Sequence, residues 1–314
     1  EDPSSSARRW VRALEGEPFR GTVLHRRRDG GVFESEQAIT PVKDVAGRVT
    51  HAVVVVRDLT ASRRLRANEA ELRLAAEVQQ RLYPRGPPLW EGLDVAGAAL
   101  PAVATCGDYF DYVRFPDGTL ALVVGDVSGH GLGPALLMSE TRAYLHALVD
   151  AGDLPDEILR RINAQLRQDL VDGTFVTLMI VSIAPRTRRV SHASAGHTPA
   201  LLFDATSRFT ARLDPTGPAL GVLDAPAYRT TIGSAMAPGD VLVLMTDGVS
   251  ESERPDGGLF DEAGVIDAVG RCVGADAGAI LAAIQGAIAA STVGRPRRDD
   301  ITLVVCRNTA TAAA

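Results

Sequence analysis

An apolar strand that ends in a glycine-rich turn is the feature that most constrains the fold of this chain. Residues 119–124 read Thr-Leu-Ala-Leu-Val-Val and lead into Gly-Asp-Val-Ser-Gly-His-Gly at residues 125–131. The apolar run predicts a buried strand, and the glycines predict a tight turn at its end. Asp126 therefore lies at the end of a buried strand, where an unpaired charge is costly. The fold must bring a partner to this carboxylate.

Three other aspartates occupy similar positions at predicted turns. They are Asp108 in Cys-Gly-Asp-Tyr-Phe-Asp, Asp247 in Leu-Met-Thr-Asp-Gly, and Asp299 in Arg-Arg-Asp-Asp-Ile-Thr-Leu-Val-Val. Carboxylates with few neighbouring His or Cys residues favour a hard cation, Mg²⁺ or Mn²⁺, over structural Zn²⁺. Neighbouring glycines allow tight turns and let backbone carbonyls approach a cation. We therefore expect the four carboxylates to converge on metal ions.

Each of these motifs is weak by itself. Asp247-Gly248 alone is typical of a turn. Residues 125–131 alone could form a helix-entry loop in which His130 packs locally. A phosphate-binding P-loop is excluded because Gly-x-x-x-x-Gly-Lys-Ser/Thr is absent. The four motifs together favour a functional site.

Composition excludes several classes of protein. With 46% hydrophobic and 23% charged residues, the 314-residue chain resembles ordinary globular proteins. A net charge of −6 gives no reason to expect a nucleic-acid partner. Three widely spaced cysteines favour a reducing compartment and argue against disulfides or a zinc site. No apolar run is long enough for a membrane span and no signal-peptide pattern begins the sequence, so we expect a cytoplasmic protein.

The N-terminal segment differs in charge and pattern from the rest. Residues 1–88 carry 16 Lys and Arg against 12 Asp and Glu, whereas the remainder is acidic. Strands are predicted over residues 19–28, 32–40 and 50–59, with turn signals between them. Residues 26–60 read RRRDGGVFESEQAITPVKDVAGRVTHAVVVVRDLT, which resembles the C-terminal half of a PAS domain. We assign residues 1–59 to a partial PAS-like sensor domain; a β-meander packed on the following domain is the alternative.

A single helix is predicted over residues 60–83, with Thr60 or Ser62 as its cap. Every third or fourth residue forms a short heptad-like seam, which comprises Leu65, Asn68, Leu72, Ala75, Gln79 and Leu82. The seam has two interpretations: a parallel coiled coil that makes a homodimer, or packing onto the same chain. Residues 60–88 are thus a linker helix.

From residue 89 onward, apolar strands alternate with paired amphipathic helices. Strands are predicted at 94–100, 109–115, 119–126, 174–183, 188–193, 199–203, 228–232, 240–245 and 301–306, and helices at 134–150, 155–170, 261–269 and 277–291. Hairpin-length gaps between strands predict antiparallel pairing. The fold class is therefore α+β, with layered sheets and helices rather than a doubly wound parallel sheet. This domain spans residues 89–308, and the alanine-rich tail at 309–314 is expected to be disordered.

Six motifs in order give the chain a family resemblance. They are AAEVQQRLYP (75–84), CGDYFDY (106–112), GDVSGHG (125–131), SAGHTPALL (194–202), LMTDGVSE (244–251) and RRDDITLVV (297–305). These motifs resemble the SpoIIE/RsbU-type branch of the PPM metal-dependent protein phosphatases. The resemblance implies a PPM-type α-β-β-α sandwich and a phosphoserine/phosphothreonine phosphatase with two Mn²⁺ or Mg²⁺ ions. It also implies that a hydroxide bridging the two ions attacks the phosphate.

The resemblance assigns roles to individual residues. It implies that Asp126 bridges the two metals, that the Val127 carbonyl and the carboxylates of Asp247 and Asp299 bind metal, and that Asp108 holds metal-bound water. Supporting roles fall to Asp300, Ser128, Gly129, His130, His197 and Gly248. Ser128 replaces a histidine that often serves the broader family as general acid. His130 and His197 then have two open interpretations, proton transfer and loop support.

The resemblance also implies a substrate, a phosphorylated anti-sigma-factor antagonist of the STAS type whose dephosphorylation releases a sigma factor. The main alternative is a pseudophosphatase or a regulatory binding module without turnover. A second alternative is a metal-dependent phosphodiesterase or nucleotide hydrolase. The intact set of four aspartates argues against the first, and the lack of clustered basic or aromatic residues near the motifs argues against the second.

Overall fold

The computed structural model of the chain describes residues 3–87, 89–170 and 173–310. The chain divides into two compact units, the first ending at Leu72 and the second beginning at Arg73. Among the described residues, no helix is long and apolar enough to cross a membrane. Most of the predicted tail, residues 311–314, lies outside the described part of the chain.

The first unit is a small antiparallel meander with a helix. Helix α1 (Pro3–Leu14) precedes strands β1 (Phe19–Arg26), β2 (Val32–Lys43) and β3 (Val49–Asp58), which pair in the order β1-β2-β3. Asp29 and Asp44 shape the two hairpin turns, because each side chain accepts a backbone N–H two residues ahead. The three strands match the predicted ones within a few residues. The PAS assignment stays a prediction.

Helix α2 (Thr60–Gln80) begins directly after β3 and is shorter than the predicted helix. Asp58, rather than Thr60 or Ser62, supplies the acceptor at its start, at 2.8 Å from the Thr60 N–H. That hydrogen bond is the main cause that lowers the pKa of Asp58 to about 2. The helix ends early because Arg81 and Leu82 donate to carbonyls three residues back, which tightens the chain into turns.

The second unit is a four-layer sandwich. One five-stranded sheet has the order β10-β9-β12-β13-β4, and the other has the order β11-β8-β7-β6-β5. The strands are β4 (Leu93–Leu100), β5 (Tyr109–Arg114), β6 (Leu120–Val127), β7 (Val176–Ile183), β8 (Arg189–Ala195), β9 (Ala200–Phe203), β10 (Phe209–Leu213), β11 (Thr231–Ala235), β12 (Val241–Met245) and β13 (Ile301–Asn308). Every ladder between these strands is antiparallel, as the hairpin-length gaps predicted.

Three apolar cores lie between the four layers. The central core joins the facing sides of the two sheets, for example Leu122 and Val181 with Leu244 and Val304. Helices α3 (Leu132–Asp150) and α4 (Pro155–Asp169) cover the outer face of one sheet. Helices α6 (Asp261–Gly270) and α7 (Ala277–Ser291) cover the outer face of the other sheet. The predicted α+β class with layered antiparallel sheets is confirmed.

Three elements of the second unit differ from the prediction. The strand predicted over residues 228–232 is shifted to β11 (Thr231–Ala235), because Tyr228 is buried in the core beneath α3 and α4 instead. Residues 204–227, where no strand is predicted, contain β10, an edge strand paired with β9. A short helix, α5 (Asp247–Ser250), also follows β12 directly.

Candidate metal-binding site

The strand ladders bring the four predicted aspartates to one end of the sandwich. Tyr109 pairs with Gly125, so Asp108 enters β5 beside Asp126 near the end of β6. In the other sheet Met245 pairs with Leu303, so Asp247 follows β12 at the same edge where Asp299 precedes β13. A hydrogen bond joins the two sheets here, because the Thr246 hydroxyl donates to Asp108 Oδ2 at 2.7 Å.

Crowding of these carboxylates perturbs their titration. Burial, followed by the charges of Asp247 and Asp299, raises the pKa of Asp126 to about 7. Burial, followed by the charge of Asp126, raises the pKa of Asp108 well above its usual range. The pKa of Asp247 is also raised, by burial first and then by Asp299 and Glu251. Asp108, Asp126 and Asp247 are therefore held where a negative charge is unfavourable.

The donor set fits a hard divalent cation. Among the ion pairs of the described residues, none involves Asp108, Asp126, Asp247 or Asp299, so no basic side chain neutralises the cluster. The described side chains also include no group of three or more His, Cys, Asp or Glu residues arranged to hold an ion. Mg²⁺ usually keeps several waters and takes only one or two carboxylates, so this spacing suits a hydrated ion rather than an all-protein cage.

Two glycines let the backbone close around the cluster. A Cβ atom at Gly248 would lie 1.9 Å from the Asp300 carbonyl oxygen, so only glycine permits this approach of α5 to the segment before β13. A Cβ atom at Gly107 would lie 2.9 Å from the Val127 carbonyl oxygen. The Val127 carbonyl, the predicted backbone ligand, thus faces the loop that carries Asp108.

Asp300 holds the loop that carries Asp108 through two hydrogen bonds. Its Oδ1 accepts the Ala102 N–H and its Oδ2 accepts the Gly107 N–H, both at 2.7 Å. The side chain is buried, with 4% of its surface exposed. Because both oxygens are occupied by backbone donors, Asp300 positions the Asp108 loop rather than offering a free oxygen to a cation.

Two further residues that hold the Asp108 loop were missed by the sequence reasoning. The Gln79 side chain donates to the Cys106 carbonyl at 2.5 Å and accepts the Cys106 N–H at 2.9 Å. The Tyr83 hydroxyl donates to the Asp108 carbonyl at 2.7 Å. Both residues lie in the motif at residues 75–84, to which the resemblance assigns no role at the site. A polar residue in an otherwise apolar seam was the signal, since a buried amide needs partners.

Cys106 is not a reactive thiol. Its side chain is buried, with 1% exposed. Burial, followed by the charges of Asp108 and Asp300, raises the pKa of the thiol. Because the thiolate is the reactive form, this environment argues against a redox role for Cys106 beside the carboxylates.

Ser128, Gly129 and His130 lie in the loop formed by residues 125–131, where each either supports the backbone or faces solvent. The Ser128 hydroxyl accepts the Phe175 N–H and the Ser128 N–H donates to the Phe175 carbonyl, both at 3.0 Å. Gly129 and Gly131 have φ values of 90° and 98°, which turn the loop back into α3. His130, between them, is exposed. Ser128 is therefore committed to the loop, and His130 remains open to solvent.

His197 is a buried, neutral support for the Asp126 strand. Its Nδ1 lies 2.7 Å from the hydroxyl of Thr177, the residue that pairs with Asp126 across the β6–β7 ladder. Burial lowers the pKa of His197 to about 4. This geometry supports the structural interpretation of His197 over proton transfer.

Comparison with known proteins identifies the family and the fold of this chain. The family described as Stage II sporulation protein E (SpoIIE) matches residues 116–309. Phosphoserine phosphatase RsbU of Bacillus subtilis (strain 168) is 28% identical over 191 residues, which cover 61% of this chain and 56% of that protein. The chain spans about half the length of the curated relatives that it matches.

Solved structures show the same fold. The RsbU and RsbW domains of Rv1364c from Mycobacterium tuberculosis superpose with a TM-score of 0.60 at 28% identity, covering 72% of this chain and 62% of that chain. The SiaA-PP2C domain of Pseudomonas aeruginosa gives a TM-score of 0.67 at 22% identity, covering 79% and 99% respectively. The predicted PPM-type sandwich is therefore confirmed.

The burial of His197 predicts a specific pH dependence of stability. The folded protein keeps the imidazole neutral down to about pH 4, whereas the unfolded chain protonates it near its ordinary pKa of 6.5. The unfolded state thus binds an extra proton below pH 6.5, so His197 lowers the stability as the pH falls, by about 2 kcal/mol at pH 5.

The measurement is the free energy of unfolding in urea at pH 7.5 and pH 5 for the wild type and His197→Gln. Gln can still bond to Thr177 but cannot titrate, and the carboxylates titrate in both proteins. We expect the wild type to lose about 2 kcal/mol relative to the variant between the two pH values. Parallel pH dependence in the two proteins would show that His197 is not buried as described.

Proposed function

Because the chain belongs to the SpoIIE family, we propose that it is a metal-dependent phosphatase that hydrolyses phosphoserine or phosphothreonine on a partner protein. The observation that carries this proposal is the cluster of four aspartates without a counter-charge, in which crowding and burial raise the pKa of Asp126 to about 7. A divalent cation would relieve that repulsion. The name of the relative RsbU, a phosphoserine phosphatase, supports the same reaction.

The carboxylates and one carbonyl provide the oxygens for two Mn²⁺ or Mg²⁺ ions. Asp126, Asp247 and Asp299 would hold the ions together with the Val127 carbonyl. Asp108 would lie next to these ligands and hold metal-bound water. When bound, such ions lower the pKa of a water and neutralise phosphate oxygens during in-line displacement. Thr246, through its bond to Asp108, keeps the two sheets in register around that position.

The protonation of the leaving serine does not fall to Ser128 or His197. A serine hydroxyl is a very weak acid, and Ser128 anchors the loop by accepting the Phe175 N–H, while His197 is buried with 2% of its surface exposed. His130 is the imidazole that reaches solvent from the 125–131 loop. It is therefore the side chain near the cluster that could exchange a proton with substrate or water.

The substrate class follows from the family resemblance. We infer that the substrate is a phosphorylated STAS-type anti-sigma-factor antagonist in the cytoplasm, and that the PAS-like unit regulates turnover. A pseudophosphatase is the less favoured alternative, because the four aspartates and their supporting contacts from Thr246 and Asp300 are all in place.

The two halves of helix α2 differ in exposure, and each half fits one of the two interpretations of the seam. Leu65 and Leu72 near its start are 61% and 39% exposed, whereas Gln79 near its end is buried against Cys106. We propose that the exposed half makes a homodimer by coiled-coil packing, while the other half holds the Asp108 loop.

Loss of a cluster carboxylate should abolish turnover. We expect Asp126→Asn and Asp247→Asn to lower kcat/KM for a phosphoserine protein by about 100-fold or more, since metal ions supply several kcal/mol of charge stabilisation. The assay uses Mn²⁺, with chelation by EDTA as a second arm. Asp117→Asn is the matched control, because Asp117 caps the exposed β5–β6 turn away from the cluster. Turnover without metal, or near-normal rates in both variants, contradicts the proposal.

The dimer is tested separately. Light scattering of the full chain should give a dimer mass, and Leu65→Asn with Leu72→Asn should give a monomer, because polar groups at seam positions weaken coiled-coil packing. Leu74→Asn is the control, since Leu74 is 62% exposed but lies off the seam. A monomeric wild type, or a dimer that survives the double substitution, rules out this interface.

A further inference from the structure

A groove extends away from the carboxylate cluster along the end of α7. It has a volume of about 570 Å³. Gly248 and Asp299, which belong to the cluster or adjoin it, form one end. Residues 293–298, which join α7 to Asp299, form one wall, and Glu251 and Glu253 after α5 contribute to the other. The groove and the candidate catalytic centre are therefore continuous.

Two arginines in the groove carry charges that no carboxylate neutralises. Arg298 forms an ion pair with Glu253 at 2.5 Å. Arg295 and Arg297 also line the groove, and neither takes part in an ion pair among the described residues. Each donates one hydrogen bond to a backbone carbonyl, Arg295 to Pro255 at 3.3 Å and Arg297 to Pro101 at 3.0 Å. A guanidinium has five N–H donors, so both retain donors for an anion.

These tethers hold the arginines in place. Pro255 follows α5 and Pro101 follows β4, so the two guanidinium groups are anchored to different segments around the groove. A planar guanidinium that is already positioned loses less entropy when it binds a carboxylate in a fork-like geometry. The arginines are thus arranged to bind an anion.

The rest of the lining suits a polypeptide. Leu100, Ile288 and Val293 give the groove an apolar portion, and Val293 is 69% exposed. Among the described lining residues there is no aromatic side chain on which a nucleotide base could stack. An apolar portion with fixed cations fits a chain segment that carries both aliphatic and acidic side chains.

We infer that this groove binds the polypeptide flanking the phosphorylated residue, and that Arg295 and Arg297 select acidic side chains in that segment. The inference rests on the proposed function, because it takes the aspartate cluster as the place where the phosphate is cleaved. Once cations neutralise the cluster and Arg298 pairs with Glu253, Arg295 and Arg297 outnumber Glu251, so the groove keeps a net positive charge. The preferred substrate is therefore a phosphoserine with Asp or Glu nearby in the sequence.

The test compares two synthetic phosphoserine peptides of equal length, one with Glu residues on both sides of the phosphoserine and one with Gln at those positions. With the full chain and Mn²⁺, we expect kcat/KM to favour the acidic peptide by about tenfold or more, since charge-assisted hydrogen bonds are the stronger class. In the variant with Arg295→Ala and Arg297→Ala, this ratio should fall to about one. Any general damage to the fold cancels in the ratio.

Arg307→Ala is the matched control. Arg307 also donates to a backbone carbonyl, that of Gly274, but it lies six residues along β13 from Ile301, at the far end of the strand. It should keep the wild-type ratio, and Arg297→Lys should keep part of the preference because the charge remains. A wild-type ratio near one, or a double variant that keeps the preference, overturns the inference while the phosphatase assignment stands.

Fluorescence anisotropy with labelled forms of the same two peptides tests the inference without relying on turnover. The wild type should bind the acidic peptide about tenfold more tightly, and the double variant should lose that difference. Equal affinities for the two peptides contradict the groove's role. Absence of hydrolysis of both peptides by the wild type with Mn²⁺ would instead contradict the proposed function.

Discussion

Repulsion among crowded carboxylates is the interaction on which the rest of this structure depends. Two like charges 4 Å apart repel by about 4 kcal/mol near a protein surface, a large part of the roughly 5–15 kcal/mol that stabilises a domain. At Asp126, burial first and then repulsion by Asp247 and Asp299 raise the pKa to about 7. The three apolar cores of the sandwich hold the strand ends together despite this cost. A site that is costly when empty is also one that gains most from a cation.

The supporting contacts explain how the cluster keeps its geometry. Thr246 joins the two sheets at Asp108, and Asp300 uses both oxygens to hold the loop before it. Gln79 and Tyr83 hold the same loop from α2 and the turn after it. The loop that carries Asp108 is therefore fixed by contacts from distant parts of the second unit. A change in any of these contacts would move a carboxylate without altering the cluster residues themselves.

Much of the fold could be predicted because its strands are apolar runs bounded by turn residues, and the aspartates stood out as charges at strand ends. The convergence of those aspartates was expected from their chemistry and their positions at strand ends. The contacts that achieve it could not be predicted, because they join residues more than one hundred positions apart, such as Thr246 and Asp108. Gln79 was missed because its partner, Cys106, lies in another segment. Tyr228 was placed in a strand because its aromatic ring suits a sheet, whereas tertiary packing drew it into a core. The unpaired charges of Arg295 and Arg297 appear only once their neighbours in space are known.

Anomalous scattering from a crystal of the full chain soaked in Mn²⁺ tests the central claim most directly. We expect two manganese peaks at the edge shared by the two sheets, both adjacent to Asp126, with Asp247 and Asp299 beside them. We also expect the Asp300 carboxylate to keep its bonds to Ala102 and Gly107 and not to touch a metal. Manganese bound only elsewhere, or no peak beside Asp126 at millimolar Mn²⁺, would contradict the proposal that these carboxylates form a metal centre.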